Sequence, residues 1–245
     1  MAVHSILNKS DIKHILEKYN IGNLIKFEGI KEGIENTNYL IITDVNKYIL
    51  TIFEKRVKKN DLPFYFQLMQ STYEKNINCP TVLYRTDQNT TFDIHNKKAA
   101  IFSFINGKCL KTWKEINCFD VGKILAKFHT GNYQYLKKKK NNFSIECWEN
   151  LYNRCLKKIN LILPNSQNII LKEINYLKKK WKIASLPKGL IHADLFPDNV
   201  LFDKGKISGI IDFYFSCYDF LIYDLAILLN AWAFKNNELD KQKFL

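Results

Sequence analysis

The segment covering residues 189–232 constrains the fold of this chain more than any other part of it. It reads GLIHADLFPDNVLFDKGKISGIIDFYFSCYDFLIYDLAILLNAW. Asp194 precedes Asn199 with four residues between them, and Asp212 lies thirteen residues beyond Asn199. Two short strand-like stretches around a Lys-Gly turn connect Asn199 to Asp212, which predicts a β-hairpin. The hairpin would hold Asn199 and Asp212 on neighbouring strands, so that both could reach one metal ion.

Together with His192, these residues form the pattern H-x-D-x-x-x-x-N followed by an Asp on a strand, which is the catalytic-loop spacing of kinases. Phosphoryl transfer to an alcohol needs a carboxylate that orients the hydroxyl and accepts its proton, and Mg²⁺ that neutralises the phosphates. Asp194 is the predicted catalytic carboxylate. Asn199 and Asp212 are the predicted Mg²⁺ ligands, because this cation prefers hard oxygen donors. The full combination predicts a kinase-type site, whereas an isolated H-x-D would be uninformative.

Two residues near this pattern have a structural explanation. We expect His192 to hydrogen-bond to the backbone near Asp212 and to take no direct part in the chemistry. Asp224 lies among apolar residues in the last predicted helix, where an unpaired charge would be costly. We therefore expect Asp224 to be paired and to brace the catalytic loop.

Strand-like segments dominate the first part of the chain and helical segments the second, which predicts an α+β fold. The predicted form is the two-lobed protein-kinase-like fold, with an antiparallel sheet in the N-terminal lobe and mainly helices in the C-terminal lobe. We place the boundary at residues 105–106, which gives a nucleotide-binding lobe of residues 1–105 and a catalytic lobe of residues 106–245. Ser10 and Asp11 would cap the first helix. Apolar periodicity predicts strands at 24–30, 37–43, 47–53 and 99–104, and helices at 10–19, 62–73, 115–130, 144–160, 166–184 and 220–234.

The net charge of +13 raises the hypothesis of a nucleic-acid partner, since clustered Lys and Arg neutralise phosphates. Arginine, which suits bidentate recognition, occurs only as Arg56, Arg85 and Arg154. Lys, Asn and Ile are abundant, and all three have A/T-rich codons, so that genome composition explains the charge at least as well. We therefore expect no nucleic-acid partner, and we expect the lysine run at 137–140 to be a solvated loop.

No segment predicts export or insertion into a membrane. The first twenty residues lack the apolar core of a signal peptide. The longest apolar stretch, residues 221–234, is interrupted by Asp224 and Asn230 and is too short to span a bilayer. The six cysteines show neither a CxxC pair nor zinc-finger spacing, so that we expect them to be reduced. These features predict a cytoplasmic protein with no membrane contact.

Several stretches of this chain resemble the homoserine kinases of the aminoglycoside-phosphotransferase and choline-kinase-like group. They are the opening MAV, GIKEGIENTNYLI, KYILTIFEKRV, DLPFYFQLM, HADLFPDNVLF and IDFYFSCYDFLIYDLAI. Since these stretches are spread along the sequence, the resemblance extends over essentially the whole chain. The resemblance implies phosphorylation of the side-chain hydroxyl of L-homoserine with ATP and Mg²⁺, which yields O-phosphohomoserine for threonine synthesis. It also implies that Asp194 is the catalytic base and that Asn199 and Asp212 bind the metal.

The same resemblance implies where the nucleotide binds. The loop at 29–38 matches the segment that covers the phosphates, and Gly33 there would let the backbone approach a phosphate closely. The stretch 102–105 resembles the hinge between the lobes, where backbone groups would hydrogen-bond to adenine. The residues predicted to bind ATP are Gly29, Gly33, Ser103, Phe104 and Ile105.

One departure from the kinase pattern concerns the cation that usually faces the phosphates. Thr51 stands where protein kinases carry a strand lysine, and the following helix offers Gln67 instead of the usual Glu partner. Another cation must then balance the phosphate charge. The candidates are Lys31, Lys55 and Arg56.

A second departure concerns the end of the chain. The resemblance ends at Phe234, where the homoserine kinases of this group continue through several more helices. Residues 235–245 read as a polar tail, and we interpret the C-terminal lobe as incomplete.

Three hypotheses about function remain open at this point. The first is a homoserine kinase, and the second is a kinase of the same group that acts on choline, an aminoglycoside or methylthioribose. The third is a truncated, non-catalytic remnant that binds nucleotide or a partner. Proximity within the motif places Asn36, Asn38, Tyr214 and Asp219 near the acceptor hydroxyl, and the oligomeric state stays open.

Overall fold

A five-stranded antiparallel sheet forms the first part of the molecule in the computed structural model, which describes residues 3–33, 35–131, 133, 136, 138–181, 185–235 and 238–244. Its strands are Leu24–Ile30 (β1), Thr37–Thr43 (β2), Lys47–Ile52 (β3), Phe92–Ile94 (β4) and Lys97–Ser103 (β5). The order across the sheet is β1-β2-β3-β5-β4. Alternate residues of β2, from Thr37 to Thr43, are buried, as expected for a strand with one packed face. The strands predicted at 37–43 and 47–53 form an antiparallel hairpin, with Ile42 paired to Lys47 next to its turn.

Helices dominate the second part of the described chain. Two helices, Lys9–Leu16 (α1) and Leu62–Glu74 (α2), belong to the first part. The second part contains Glu115–His129 (α3), Ile145–Ile162 (α4), Ser166–Lys180 (α5), Leu221–Trp232 (α6) and Lys241–Phe244 (α7). The first six coincide with the predicted helices to within a few residues. The predicted end of the fifth, at 182–184, lies outside the described residues. Among the described helices, none is long and apolar enough to cross a bilayer.

The cap of α1 differs from the prediction. Asn8 occupies the N-cap, and its Oδ1 accepts a hydrogen bond from the N–H of Asp11 at 2.9 Å. Asp11 Oδ2 in turn accepts from the N–H of Asn8 at 2.8 Å, which completes a reciprocal capping box. Ser10 lies inside the helix, so that only Asp11 of the two predicted capping residues has that role. The predicted apolar face of Ile12, Ile15 and Leu16 is buried.

Two hydrophobic clusters fill the interior of the described chain. The first packs α1 against one face of the sheet and includes Ile12 and Ile41. The second extends from Phe102 of β5 to Val121 of α3 and Trp232 of α6. Because this second cluster crosses position 105, the sheet and the helical part share one core.

Small sheets hold the loops of the second part in place. The strands are Lys108–Cys109 (β6), Lys188–Ile191 (β7), Val200–Asp203 (β8), Lys206–Ile210 (β9) and Cys217–Phe220 (β10). The β8–β9 pair is the hairpin predicted between Asn199 and Asp212, and β6 extends it. Strand β10 pairs with β7, an arrangement the sequence patterns did not predict. As a result, the catalytic loop leaves β7 and enters β8, and Asp212 lies between β9 and β10.

The end of the described chain is more structured than the predicted polar tail. Short strands Phe234–Lys235 (β11) and Glu238–Leu239 (β12) form a hairpin after α6. Helix α7 then packs against α3, and the Nζ atom of Lys243 lies 5.8 Å from the ring centroid of Trp113. Part of the predicted polar tail therefore forms secondary structure that the sequence patterns did not predict.

Candidate active site

The three residues of the predicted catalytic pattern come together in the structure. Asn199 Nδ2 donates to the carboxylate Oδ2 of Asp194 at 2.8 Å and to its backbone carbonyl at 2.7 Å. The N–H of Ile211 donates to the carbonyl of Asn199 at 2.9 Å, which places Asp212 just beyond the end of β9 and close to Asn199. With its nitrogen committed to Asp194, the Asn199 amide keeps its oxygen available as a metal ligand.

Unusual backbone conformations aim two of these side chains. Ala193 has φ +63° and Asp212 has φ +65°, and both lie in the left-handed region that non-glycine residues rarely adopt. The Ala193 conformation is held by Asp224, whose Oδ1 accepts from the N–H of Ala193 at 2.9 Å and whose Oδ2 accepts from the N–H of His192 at 2.8 Å. His129 Nε2 lies 2.9 Å from the same Oδ2. Asp224 therefore braces the catalytic loop, as the sequence predicted.

Burial raises the proton affinity of both Asp194 and Asp212, and the charge of Asp212 adds to the effect at Asp194. Desolvation by burial, followed by the negative charge of Asp212, raises the pKa of Asp194 to about 7, against the opposing hydrogen bond from Asn199. Desolvation also raises the pKa of Asp212, although the N–H of Tyr214 and the charge of Arg56 oppose it. A cation beside the two carboxylates would favour their ionised forms.

The arrangement fits a divalent cation. Asp212 keeps some exposed surface as a residue, but its Oδ1 is buried and has no hydrogen-bond partner among the described residues. A buried anionic oxygen without a donor is costly unless a cation occupies the position. The described residues contain no group of three or more His, Cys, Asp or Glu side chains suited to a metal. Mg²⁺ needs no such group, because it commonly takes one or two protein ligands and completes its shell with phosphate oxygens and water.

His192 is fully buried and packs against aromatic rings. Its ring centroid lies 4.8 Å from that of Phe213 and 6.3 Å from that of Phe128. Desolvation lowers the pKa of His192 to about 4, so that the imidazole is neutral. The backbone of Ile211 acts on this pKa, but neither ring nitrogen has a hydrogen-bond partner among the described residues. The structural role of His192 matches the prediction. The expected hydrogen bond from its ring to the backbone near Asp212 is not formed among the described residues.

The two predicted phosphate-loop glycines lie in different surroundings. Gly33 has φ +93° and open space where a Cβ atom would be, so that only its backbone conformation requires glycine. Gly29 lies in β1, where a Cβ would come within 2.8 Å of the Val3 side chain. Its close neighbours are therefore protein side chains, and the loop beyond Ile30 carries the more open surface.

The predicted hinge follows directly from β5. The N–H of Ser103 donates to the carbonyl of Thr81 at 2.9 Å, and Ser103 Oγ accepts from the N–H of Thr81 at 2.9 Å. In the described part of the chain, no backbone hydrogen bond uses the N–H of Phe104 or Ile105, which leaves both as possible donors to a ligand. Ile105 is buried, and its side chain packs against Gly209 of β9.

Thr51 is buried in the sheet, and its hydroxyl donates to Asn38 Oδ1 at 2.7 Å. The side chains of Asn38 and of Asn36, whose Oδ1 accepts from the N–H of Glu54, are therefore engaged inside the N-terminal part. Asp219 accepts from Asn141 Nδ2 at 2.7 Å. Of the four residues expected near the acceptor hydroxyl, only Tyr214 lines a small cavity, whose walls also include Arg56 and Phe215.

That cavity has a volume of about 110 Å³ and is lined by charged and aromatic side chains. Arg56, one of the three candidate cations, lines it, whereas Lys31 is exposed on the phosphate loop and Lys55 lines a separate cavity. The charge of Arg56 partly opposes the upward shift in the pKa of both Asp194 and Asp212. Among the three candidates, Arg56 is thus the cation that acts on the catalytic carboxylates.

Sequence patterns missed several residues of this cavity. Lys139 was expected in a solvated loop, but its side chain is only 14% exposed and lies 3.6 Å from Asp61 Oδ2. Its backbone carbonyl accepts from the N–H of Tyr218 at 2.7 Å, which ties the segment to β10. Lys138 and Lys140 are exposed as expected, and Lys137 lies outside the described residues. Nothing in a run of four lysines signals which one is turned inward.

Comparison with known proteins assigns the family. Residues 26–242 match the family described as "Phosphotransferase enzyme family". The chain belongs to this family. Its fold agrees with that assignment, because the chain superimposes on solved kinases of the same two-lobed architecture. One is an amicoumacin kinase in complex with AMP-PNP, Ca²⁺ and Ami (TM-score 0.73, 17% identity, 92% of this chain and 69% of that chain). Another is an ethanolamine kinase of Plasmodium vivax (TM-score 0.69, 18% identity, 98% of this chain and 73% of that chain).

A sequence relative is much closer. A homoserine kinase of Rhizobium rhizogenes is 40% identical over 237 residues, which covers 97% of this chain and 74% of the relative. The protein-kinase-like α+β fold and the assignment to the small-molecule kinases, enzymes that phosphorylate a hydroxyl group, are therefore confirmed.

Proposed function

We propose that this chain is a homoserine kinase, which transfers the γ-phosphoryl group of ATP to the side-chain hydroxyl of L-homoserine and forms O-phospho-L-homoserine. The observation that carries the proposal is that Asp194, Asn199 and Asp212 lie together, with Asn199 hydrogen-bonded to Asp194. Arg56, whose charge acts on Asp194, lines a small charged cavity. The similarity to homoserine kinases over 97% of the chain supports this choice of acceptor.

Asp194 would orient the acceptor hydroxyl and accept its proton as the phosphoryl group is transferred. Its position is fixed by Asn199, by the hydrogen bonds of Asp224 to the loop backbone, and by the left-handed turn at Ala193. Asn199 Oδ1 and the Asp212 carboxylate would hold Mg²⁺, which supplies charge neutralisation for the phosphates. The unpartnered Oδ1 of Asp212 is the feature that favours this role.

ATP would lie between the sheet and the helical part. The free backbone N–H groups of Phe104 and Ile105 suit adenine, and the open loop around Gly33 suits the phosphates. Ser103 and Gly29 would flank these two regions. This arrangement makes residues 1–105 the nucleotide-binding lobe and residues 106–245 the catalytic lobe, and we assign the ATP-consuming reaction to the cytoplasm.

The cavity favours a small zwitterion over the other acceptors. Pockets for drug-sized ligands typically measure roughly 300–1,000 Å³, so that a cavity of about 110 Å³ is far too small for an aminoglycoside. Choline carries a positive charge and no carboxylate, so that it would leave the cations Arg56, Lys58 and Lys139 without an anionic partner, whereas an amino acid could meet both these cations and the carboxylates of Glu35 and Asp61. An amino acid with a short hydroxylated side chain matches both the volume and the mixture of charges.

A panel of alcohols tests the proposal. Release of ADP would be measured with L-homoserine, choline, ethanolamine, methylthioribose and an aminoglycoside at equal concentrations. We expect kcat/KM for L-homoserine to exceed every other value by at least about tenfold, since its acceptor-specific charge contacts are worth that much. A higher value for any other alcohol, or the absence of turnover with all of them, would refute the homoserine assignment.

A further inference from the structure

The small cavity lined by Arg56, Asp61 and Lys139 presents both signs of charge close together. Arg56 and Asp61 come from the segment between β3 and α2, and Lys139 comes from the segment between α3 and α4. The geometry points to a site for the α-amino-acid head group of the acceptor, in which Arg56 binds the carboxylate and Asp61 binds the ammonium group. This inference rests on the proposed function and assigns residues to its acceptor.

Arg56 is held in a way that suits carboxylate binding. Its guanidinium carbon lies 4.3 Å from the ring centroid of Phe215 and 5.7 Å from that of Phe143. Contact of the planar group with aromatic rings fixes its orientation, while its N–H groups stay at the edge for bidentate contacts. Arginine in such a position recognises a carboxylate through two parallel hydrogen bonds.

The present partner of Arg56 is easily replaced. Arg56 pairs with Glu35 of the phosphate loop, and the two side chains are 51% and 21% exposed. Pairs with this much solvent contact contribute little to stability. A carboxylate brought in by the acceptor can therefore share or take the guanidinium at small cost.

Asp61 has an unused carboxylate. It occupies the N-cap of α2, where an Asp normally accepts a backbone N–H of the first turn, yet its side chain makes no capping hydrogen bond. Its nearest cation is Lys139, at 3.6 Å, which is longer than a hydrogen bond. Neither side chain is more than 29% exposed. An ammonium group would complete the hydrogen bonding that this half-buried carboxylate lacks.

The position also suits the chemistry. Arg56 is close enough to lower the pKa of both Asp194 and Asp212. In L-homoserine, a two-carbon arm separates the α-carbon from the hydroxyl group. A head group held at Arg56 and Asp61 therefore leaves the hydroxyl free to extend toward Asp194.

The test pairs variants with acceptors that lack one charge. The acceptors are L-homoserine, 3-amino-1-propanol, which has no carboxylate, and 4-hydroxybutanoate, which has no ammonium group. For each, kcat/KM is measured, or Ki against L-homoserine where turnover is slow. Arg56→Gln is expected to lower kcat/KM for L-homoserine roughly 30- to 100-fold more than kcat/KM for 3-amino-1-propanol, which is the value of a charged hydrogen-bonded contact. A loss shared by both acceptors would report the effect of Arg56 on Asp194 and Asp212. Asp61→Asn keeps a good N-cap residue. It is expected to lower kcat/KM for L-homoserine and 3-amino-1-propanol, and to leave kcat/KM for 4-hydroxybutanoate unchanged, because that acceptor has no ammonium group.

Controls separate this inference from the proposed function. Arg154→Gln, on the exposed surface of α4, should match wild type with all three acceptors. Arg56→Lys keeps the charge without the forked geometry and should lose roughly tenfold with L-homoserine and with 4-hydroxybutanoate, the two acceptors that carry a carboxylate, which keeps the test valid if the Gln variant does not fold. Equal losses on all three acceptors, or a raised KM for Mg-ATP with an unchanged KM for L-homoserine, would overturn the inference while the homoserine assignment stands. A wild-type enzyme that does not prefer L-homoserine would overturn both.

Discussion

Two aspartates of the helical part, Asp224 and Asp212, differ in the number of hydrogen-bond donors around their carboxylates. Asp224 at the start of α6 is fully buried, and its carboxylate accepts from the N–H groups of His192 and Ala193 and lies 2.9 Å from His129 Nε2. Asp212, at the end of the β8–β9 hairpin, has a buried Oδ1 with no partner among the described residues.

The difference teaches how to distinguish a structural carboxylate from a reactive one. Burial costs both groups hydration, but Asp224 recovers it from three donors that also fix the catalytic loop. Asp212 recovers little, and desolvation raises its pKa. Natural chains rarely keep a buried anionic oxygen without donors, so that we interpret Asp212 as poised for a cation from outside the protein.

The largest effect is expected at Asp212. Asp212→Ala should lower turnover by roughly 10⁴-fold, the scale on which charge-neutralising groups act in phosphoryl transfer. It should also weaken Mg²⁺-dependent ATP binding, because it removes a ligand of the cation. Calorimetric titration with ATP, with and without Mg²⁺, measures the second effect. Mg²⁺-dependent ATP binding at the wild-type level would contradict the assigned role.

Asp194→Ala sharpens the same comparison, because it separates chemistry from nucleotide binding. Loss of a positioned base should lower kcat by about 10²- to 10⁴-fold. Mg-ATP binding should stay within a few-fold of wild type, since Asp194 is assigned to the acceptor and not to the metal. Steady-state kinetics and the same titration measure the two quantities. A near-normal kcat would show that the proton is taken by another group.

Asp224→Ala tests the structural side of the comparison. It leaves two buried N–H groups of the loop without an acceptor, so that the free energy of unfolding should fall by about 3 kcal/mol. Denaturant titration in EDTA measures this change. Asp212→Ala is the matched control, and in EDTA it should cost nothing or stabilise the protein. If the two variants lost equal stability, the contrast between the two carboxylates would be wrong.

The smallest effect concerns pH. Because the folded pKa of Asp194 is raised from 3.8 to about 7, the folded protein retains a proton that the unfolded chain loses near pH 4. Stability from this group is therefore present at low pH and is lost as pH rises toward 7. The shift would be worth about 4 kcal/mol without screening, and solvent contact reduces it to roughly 1–2 kcal/mol. Thermal unfolding in EDTA between pH 5 and 7.5 should decline less steeply for Asp194→Asn than for wild type, and parallel curves would contradict the raised pKa.

Much of the fold could be predicted from local sequence. Strands β1 and β2, the hairpin to β3 and six helices follow from apolar periodicity, because each period reports one packed face. The cap of α1 was misplaced, since several residues near that end can accept a backbone N–H and only the geometry selects Asn8. The pairing of β10 with β7 was missed, because it joins strands that are distant in sequence.

The residues of the catalytic pattern are close together in sequence, whereas those of the acceptor cavity are far apart. Asp194, Asn199 and Asp212 lie within nineteen positions of one another, on a loop and hairpin whose spacing is visible in the chain. Arg56, Asp61 and Lys139 belong to segments separated by up to about eighty residues, and none carries a motif. In the sequence, Arg56 is only one of three candidates for the cation that balances the phosphates, and the run of lysines that contains Lys139 is typical of a solvated loop.

The sequence by itself determined the kinase-type fold and the identity of the groups that would carry out phosphoryl transfer, because both depend on short-range spacing within β-hairpins, loops and helices. Only the tertiary structure decided which lysine is turned inward, which cation faces the catalytic carboxylates, and which buried aspartate has donors. Those properties depend on burial and on contacts between distant segments, and a linear pattern does not encode them.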